Sequence, residues 1–155
     1  MPDQSSDVLL ELRDLHLHFF TNEGVVRAVN GASYTVWRGK TLCVVGESGC
    51  GKSVTARAIL KIIHRPGRIV GGQILYHRPL PGGGTETVDI AGLRPRGAAV
   101  RQIRGNEIAM IFQEPMSSLS ALHTVGNQII EAIRLHSRVT EAEARERAID
   151  LLAKV

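Results

Sequence analysis

The chain has 155 residues, 43% hydrophobic and 22% charged, the length and balance of one globular domain and not of a disordered or collagen-like chain. Lys and Arg number 19 against 15 Asp and Glu, a net charge of +4. Aromatic residues make up only 4%, too few for a base-stacking platform, so nucleic acid is not an expected partner.

Val8 to Phe20 reads as a strand or a bent strand pair, because Leu15, Leu17 and Phe19 alternate with His16, His18 and Phe20. Asn22-Glu23-Gly24 marks a turn, and Val25 to Trp37, rich in Val, Thr, Tyr and Trp, reads as a second strand region. After Arg38-Gly39-Lys40, the apolar run Thr41-Leu42-Cys43-Val44-Val45 has the composition of a strand buried on both faces of a parallel sheet. Lys52 to Ile63 predicts a helix ended by Arg65-Pro66-Gly67, and Val70 to Tyr76 a further strand. Arg78 to Gly84 is loop-like. Ala98 to Arg104 predicts a helix and Glu107 to Phe112 a strand, followed by an irregular stretch from Gln113 to His123. Thr124 to His136 predicts a helix with Val125, Ile129, Ala132 and Ile133 on its apolar face. Thr140 and Glu143 have capping-box spacing, opening a last helix whose apolar stripe is Ala144, Ala148, Leu151, Leu152 and Val155.

The longest apolar run, Ile108 to Phe112, is too short to cross a bilayer, and the N-terminus lacks the basic-then-apolar order of a secretory signal. Cys43 and Cys50 cannot build a disulfide framework and match no zinc spacing. His16 and His18 share one strand face but have no third ligand in view, so a structural or solvated role is expected of them. Lys61, Arg65, Arg68, Arg78, Arg94, Arg96, Arg101 and Arg104 face only Glu86 and Asp89 between positions 61 and 104. The plain reading of that stretch is a solvated basic surface.

Gly46-Glu47-Ser48-Gly49-Cys50-Gly51-Lys52-Ser53 fits G-x-x-x-x-G-K-[S/T] between a predicted strand and a predicted helix. Glycines let the backbone wrap an anion through conformations closed to other residues. Amides from Gly49 to Ser53 then form a nest, and the helix start adds the positive end of its dipole. Lys52 is expected on the β- and γ-phosphates of a nucleotide and the Ser53 hydroxyl on Mg²⁺. The alternative, a packing corner, gives no reason for Lys and Ser at those two positions. Cys50 is read as a small residue at a variable position. This loop alone suits kinases, GTPases, helicases and transport ATPases.

The run LRDLHLHFF…EGVVRAVNGASYTVWRGKTLCVVGESGCGKS resembles the start of an ABC-transporter ATP-binding subunit. Together with IAMIFQEPMSSLSALHTVGNQIIEAI it is similar to the subgroup serving oligopeptide, dipeptide and nickel importers. The resemblance implies an α/β P-loop NTPase of the ABC ATPase type, with an antiparallel β portion and P-loop core over 8–112 and a glutamine loop and partial helical subdomain over 113–155. It implies ATP and Mg²⁺ as cofactors. It places Phe19, with Phe20 as competitor, where an aromatic stacks on adenine, and Gln113 where a glutamine ligates Mg²⁺ and senses the γ-phosphate. Glu114 and Glu47 are not expected to act as general bases. Ser120-Ala121 stands where Asn-Pro is usual.

The family's LSGGQ signature, second acidic motif, catalytic glutamate and switch histidine are not in this sequence. The expectation is therefore the N-terminal part of such a subunit, with Thr41–Val45 left short of neighbouring strands and the chain marginally stable. The resemblance further implies a second ATP-binding subunit and membrane-spanning subunits as partners, and a peripheral place on the cytoplasmic face of the membrane. Rival readings are a non-hydrolysing nucleotide-binding fragment, a soluble P-loop kinase, and nucleic-acid binding through the Lys61–Arg104 stretch.

Overall fold

The computed structural model describes residues 7–113 and 119–155. They fall into two compact units, Met1–Arg104 and Gly105–Val155.

The first unit is built on a four-stranded antiparallel sheet. In chain order it contains β1 (Val8–Thr21), β2 (Gly24–Trp37), α1 (Lys52–Ile59), β3 (Gly67–Pro79), β4 (Thr85–Asp89), a 3₁₀ turn (Ile90–Gly92) and α2 (Ala98–Ile103). The sheet order is β2-β1-β3-β4. β1 buries Leu10, Leu12, Leu15 and Leu17 on one face, although the step from Leu12 to Leu15 is odd and a regular strand would turn the second pair outward. A β-bulge restores the phase. The register shifts there on both neighbouring strands, Asp14 takes φ 47°, and its N–H donates to Ser33 Oγ at 2.9 Å. Gly72 crosses β1 beside the bulge so closely that any Cβ would run into the Asp14 backbone. Ile74, Ile90, Val100 and Ile103 complete the fully buried core.

Both N-terminal strands and the position of α1 agree with the sequence reading. Two strands do not. Thr41–Val45 pairs with nothing, and Leu42, Val44 and Val45 are 43%, 53% and 93% exposed. An extended segment becomes a strand only when a neighbour supplies hydrogen bonds, and no strand lies beside it among the described residues. Glu107–Phe112 likewise forms no strand, and Ile111 is 90% exposed. β4 has no signal in the sequence, since Thr85–Asp89 lacks apolar alternation. It forms because Leu80 to Gly84 closes a hairpin, with Gly83 at φ +90° and Gly84 at φ +86°.

The second unit contains α3 (Val125–His136) and α4 (Glu141–Leu152). Thr124 Oγ1 caps α3 by accepting from Asn127 N at 3.2 Å. The capping box of α4 is complete, with Glu143 N donating to Thr140 Oγ1 at 3.3 Å and Thr140 N donating to the Glu143 carboxylate at 2.7 Å. Ala144 and Ala148 are buried, while Leu151 and Leu152 stay half exposed. Among the described residues no helix is long and apolar enough to cross a membrane.

Candidate phosphate-binding loop

The segment 41–47 leads into a turn at Ser48-Gly49 and then α1. Gly49 and Gly51 adopt φ 83° and 94°, the left-handed region that favours glycine. At Gly51 the requirement is double, because a Cβ would also collide with the carbonyl oxygen of Ala28 on β2. The loop is therefore pressed against β2 too closely to admit a side chain at Gly51. On its other side, Thr55 N and Thr55 Oγ1 both donate to the Gly51 carbonyl, at 2.8 and 2.9 Å.

Gly51 is the N-cap of α1. No side chain caps this helix, and its first turn holds no acidic residue. The first amides of a helix lack intrahelical acceptors, so those of α1 are free for an anion, aided by the dipole.

Lys52 Nζ donates to the carbonyls of Gly46 and Glu47 at 2.6 Å each and lies 3.4 Å from Cys50 Sγ. The ammonium thus sits inside the loop. A Cβ on Gly46 would stand 2.7 Å from Cys50 Sγ, so the thiol fills the space that the missing side chain leaves. The Ser53 hydroxyl is exposed and has no partner among the described residues. Glu47 and Ser48 are exposed. A cleft of about 820 Å³ runs between β2 and the loop, bordered by Ala28, Val44, Val45, Gly49, Lys52 and Thr55.

The structure brings Gly46, Cys50, Gly51 and Lys52 into one constellation. It puts the two aromatic candidates on opposite faces of β1. Phe19 turns inward, its ring so close to Gly67 that a Cβ there would be 2.6 Å away, with Ile63 on the same spot. Phe20 turns outward beneath the guanidinium of Arg68. Gln113 is an exposed bend residue of the second unit. Glu114, with Pro115 to Ser118, lies outside the described residues. Among the described residues no group of three or more His, Cys, Asp and Glu is arranged to hold a metal.

Sequence reasoning missed Thr55. The signal was present, a threonine four residues after the last loop glycine, able to bond back to the i−4 carbonyl. It also missed Arg104, which closes the far end of α1. Its guanidinium donates to the carbonyls of Leu60 at 2.6 Å, Lys61 at 2.7 Å and Pro95 at 3.0 Å. The α1 helix that carries the loop is thereby fixed at both ends.

The profile of the family described as ABC transporter matches residues 29–155. The chain is 44% identical over 151 residues to the probable peptide ABC transporter ATP-binding protein y4tR of Sinorhizobium fredii, covering 97% of this chain and 42% of the relative. It is 40% identical over 148 residues to the oligopeptide transport ATP-binding protein OppD of Bacillus subtilis, covering 95% and 38%. The chain thus spans about two fifths of these relatives. The ATP-binding cassette MJ0796, solved as a dimer in a post-hydrolysis state with ADP and Pi, superposes with a TM-score of 0.72 at 18% identity, over 94% of this chain and 56% of that one. That likeness establishes the fold as that of an ABC ATPase cassette.

Proposed function

The chain belongs to the ABC transporter family, and from that premise we propose that it is the nucleotide-binding part of an importer subunit which couples ATP binding and hydrolysis to uptake of peptide, or nickel, across the cytoplasmic membrane. The observation that carries this reading is the Lys52 ammonium lodged in a glycine loop at an uncapped helix start. Loop amides and Lys52 hold the β- and γ-phosphates, an arrangement that acts by fixed dipoles and charge. The residues present suit Mg²⁺ as well. Ser53 offers a free hydroxyl on the loop, and the family pattern assigns Mg²⁺ to Gln113 also. Bound beside Ser53, the ion would neutralise phosphate charge. Phe19 is the residue the pattern assigns to adenine.

The reading extends to organisation. Residues 8–112 supply the β portion and loop core, and 113–155 the glutamine loop and part of a helical subdomain. The partners are membrane-spanning subunits and a second ATP-binding subunit, with the protein at the inner membrane face. The peptide cargo follows the names of the relatives, y4tR and OppD among them. Titration with a fluorescent ATP analogue, with and without Mg²⁺, tests the core of this proposal. Saturable binding displaced by ATP and strengthened by Mg²⁺ through Ser53 is expected. Binding that ATP does not displace contradicts it.

A further inference from the structure

The strand register sets three nitrogen-bearing side chains in a row on the sheet face opposite Leu15 and Leu17. His18 pairs with Arg27 on β2 and with Arg68 on β3, and cross-strand partners point to the same face with Cβ atoms about 5 Å apart. The Cζ of Arg68 lies 4.0 Å from the centroid of Phe20, whose ring tilts against His18 at 6.3 Å. His16 stands edge-on to His18 at 6.4 Å and is engaged by Asp14 Oδ1 at 2.9 Å and Asn30 Oδ1 at 3.2 Å.

Two features of this row are unexplained by folding. Neither Arg27 nor Arg68 has a carboxylate partner among the described residues. His18 Nε2 is sealed from solvent with no hydrogen-bond partner, an arrangement that costs roughly 1–3 kcal/mol when nothing fills it.

We propose that Arg27, His18 and Arg68 form an oxyanion site on the outer face of the sheet, taking a phosphate group. Stacking on Phe20 uses the flat face of Arg68 and leaves its N–H edge free, and a guanidinium edge binds oxyanions through two parallel hydrogen bonds. A tetrahedral dianion above His18 meets both forks and, once the side chains covering Nε2 move aside, supplies an acceptor for that nitrogen in its N–H tautomer. The group belongs either to a soluble phosphate monoester or to a phospholipid headgroup.

Arg27 also borders the cleft beside the loop, so the test uses the full chain carrying Lys52→Ala, which separates this site from the nucleotide reading. Inorganic phosphate is titrated while the imidazole NMR signals of His18 are followed, with Arg27→Gln and Arg68→Gln added singly. Both arginines are exposed, and circular dichroism verifies that each variant keeps its fold. A saturable shift of His18, weakened at least about tenfold by either glutamine and by added salt, is the expected result. No saturable shift, or equal affinity in all three chains, overturns the proposal. Flotation with phosphatidylcholine vesicles, with and without phosphatidic acid, then separates the sources. Arginine-dependent flotation assigns the site to a headgroup, and its absence beside arginine-dependent phosphate binding assigns it to a soluble phosphate ester.

Discussion

Thr55 holds Gly51 by two hydrogen bonds to a single carbonyl, from its amide at 2.8 Å and its hydroxyl at 2.9 Å. Gly51 is both the last loop glycine and the N-cap of α1, so this contact ties loop conformation to helix start. Thr55 is buried. Thr55→Val keeps the shape and removes the hydroxyl bond, with an expected loss of about 1 kcal/mol in urea denaturation. Thr55→Ser is expected to retain most of that stability, and equal losses in the two variants would assign the effect to packing.

Cys50 presents its sulfur inside the loop, 3.4 Å from Lys52 Nζ and against Gly46. A maleimide adduct at Cys50 fills the space a phosphate needs. Mass spectrometry verifies modification, and ATP-analogue binding is expected to disappear with it, while prior ATP slows the reaction. Unchanged affinity after complete modification removes Cys50 from the phosphate path.

Val45 is 93% exposed. Val45→Thr is therefore expected to change stability by less than about 0.5 kcal/mol. A loss of about 1–3 kcal/mol, the range for a buried hydroxyl without a partner, would place this residue in a core and contradict its observed exposure.

These cases also mark what the sequence could reveal. The phosphate loop and the Thr140–Glu143 box were legible because their chemistry is local, carried by residues three to seven positions apart in a fixed order. Thr41–Val45 is exposed, as its expected shortage of neighbouring strands implies, and forms no strand, because strand formation depends on distant partners that composition does not report. The bulge at Asp14 was invisible for the same reason. It needs Gly72 from β3 and Ser33 from β2 beside it, and it keeps Leu12 and Leu15 on one face. The alternation did separate Phe19 from Phe20, but not which of them faced inward.

Glu143 gives the account a pH signature. Hydrogen bonds from the Thr140 backbone, then from its hydroxyl, lower the carboxyl's pKa below its ordinary value of 4.5, with Arg147 adding a smaller effect. The sign follows from linkage. A lowered folded-state pKa gives stabilisation that is complete above the unfolded value and lost as pH falls through the folded one. Carboxyl NMR titration is expected to show Glu143 protonating below the ordinary glutamate value of 4.5. The helical signal of α4 is expected to decline through that same window and to lose this step in Glu143→Gln. A Glu143 titration at or above that ordinary value would show that the capping box does not hold in solution.

The central claim is that the Lys52 ammonium and the uncapped amides of α1 hold the phosphates of a nucleotide. Its most direct test compares binding of a fluorescent ATP analogue to the parent chain and to Lys52→Ala, with both shown folded by circular dichroism. Saturable binding by the parent and a loss of at least about a hundredfold in the variant are expected, since charge-assisted contacts to phosphate are worth roughly 1.5–3 kcal/mol each and the proposed role gives Lys52 two of them. Equal binding by the two chains would contradict it.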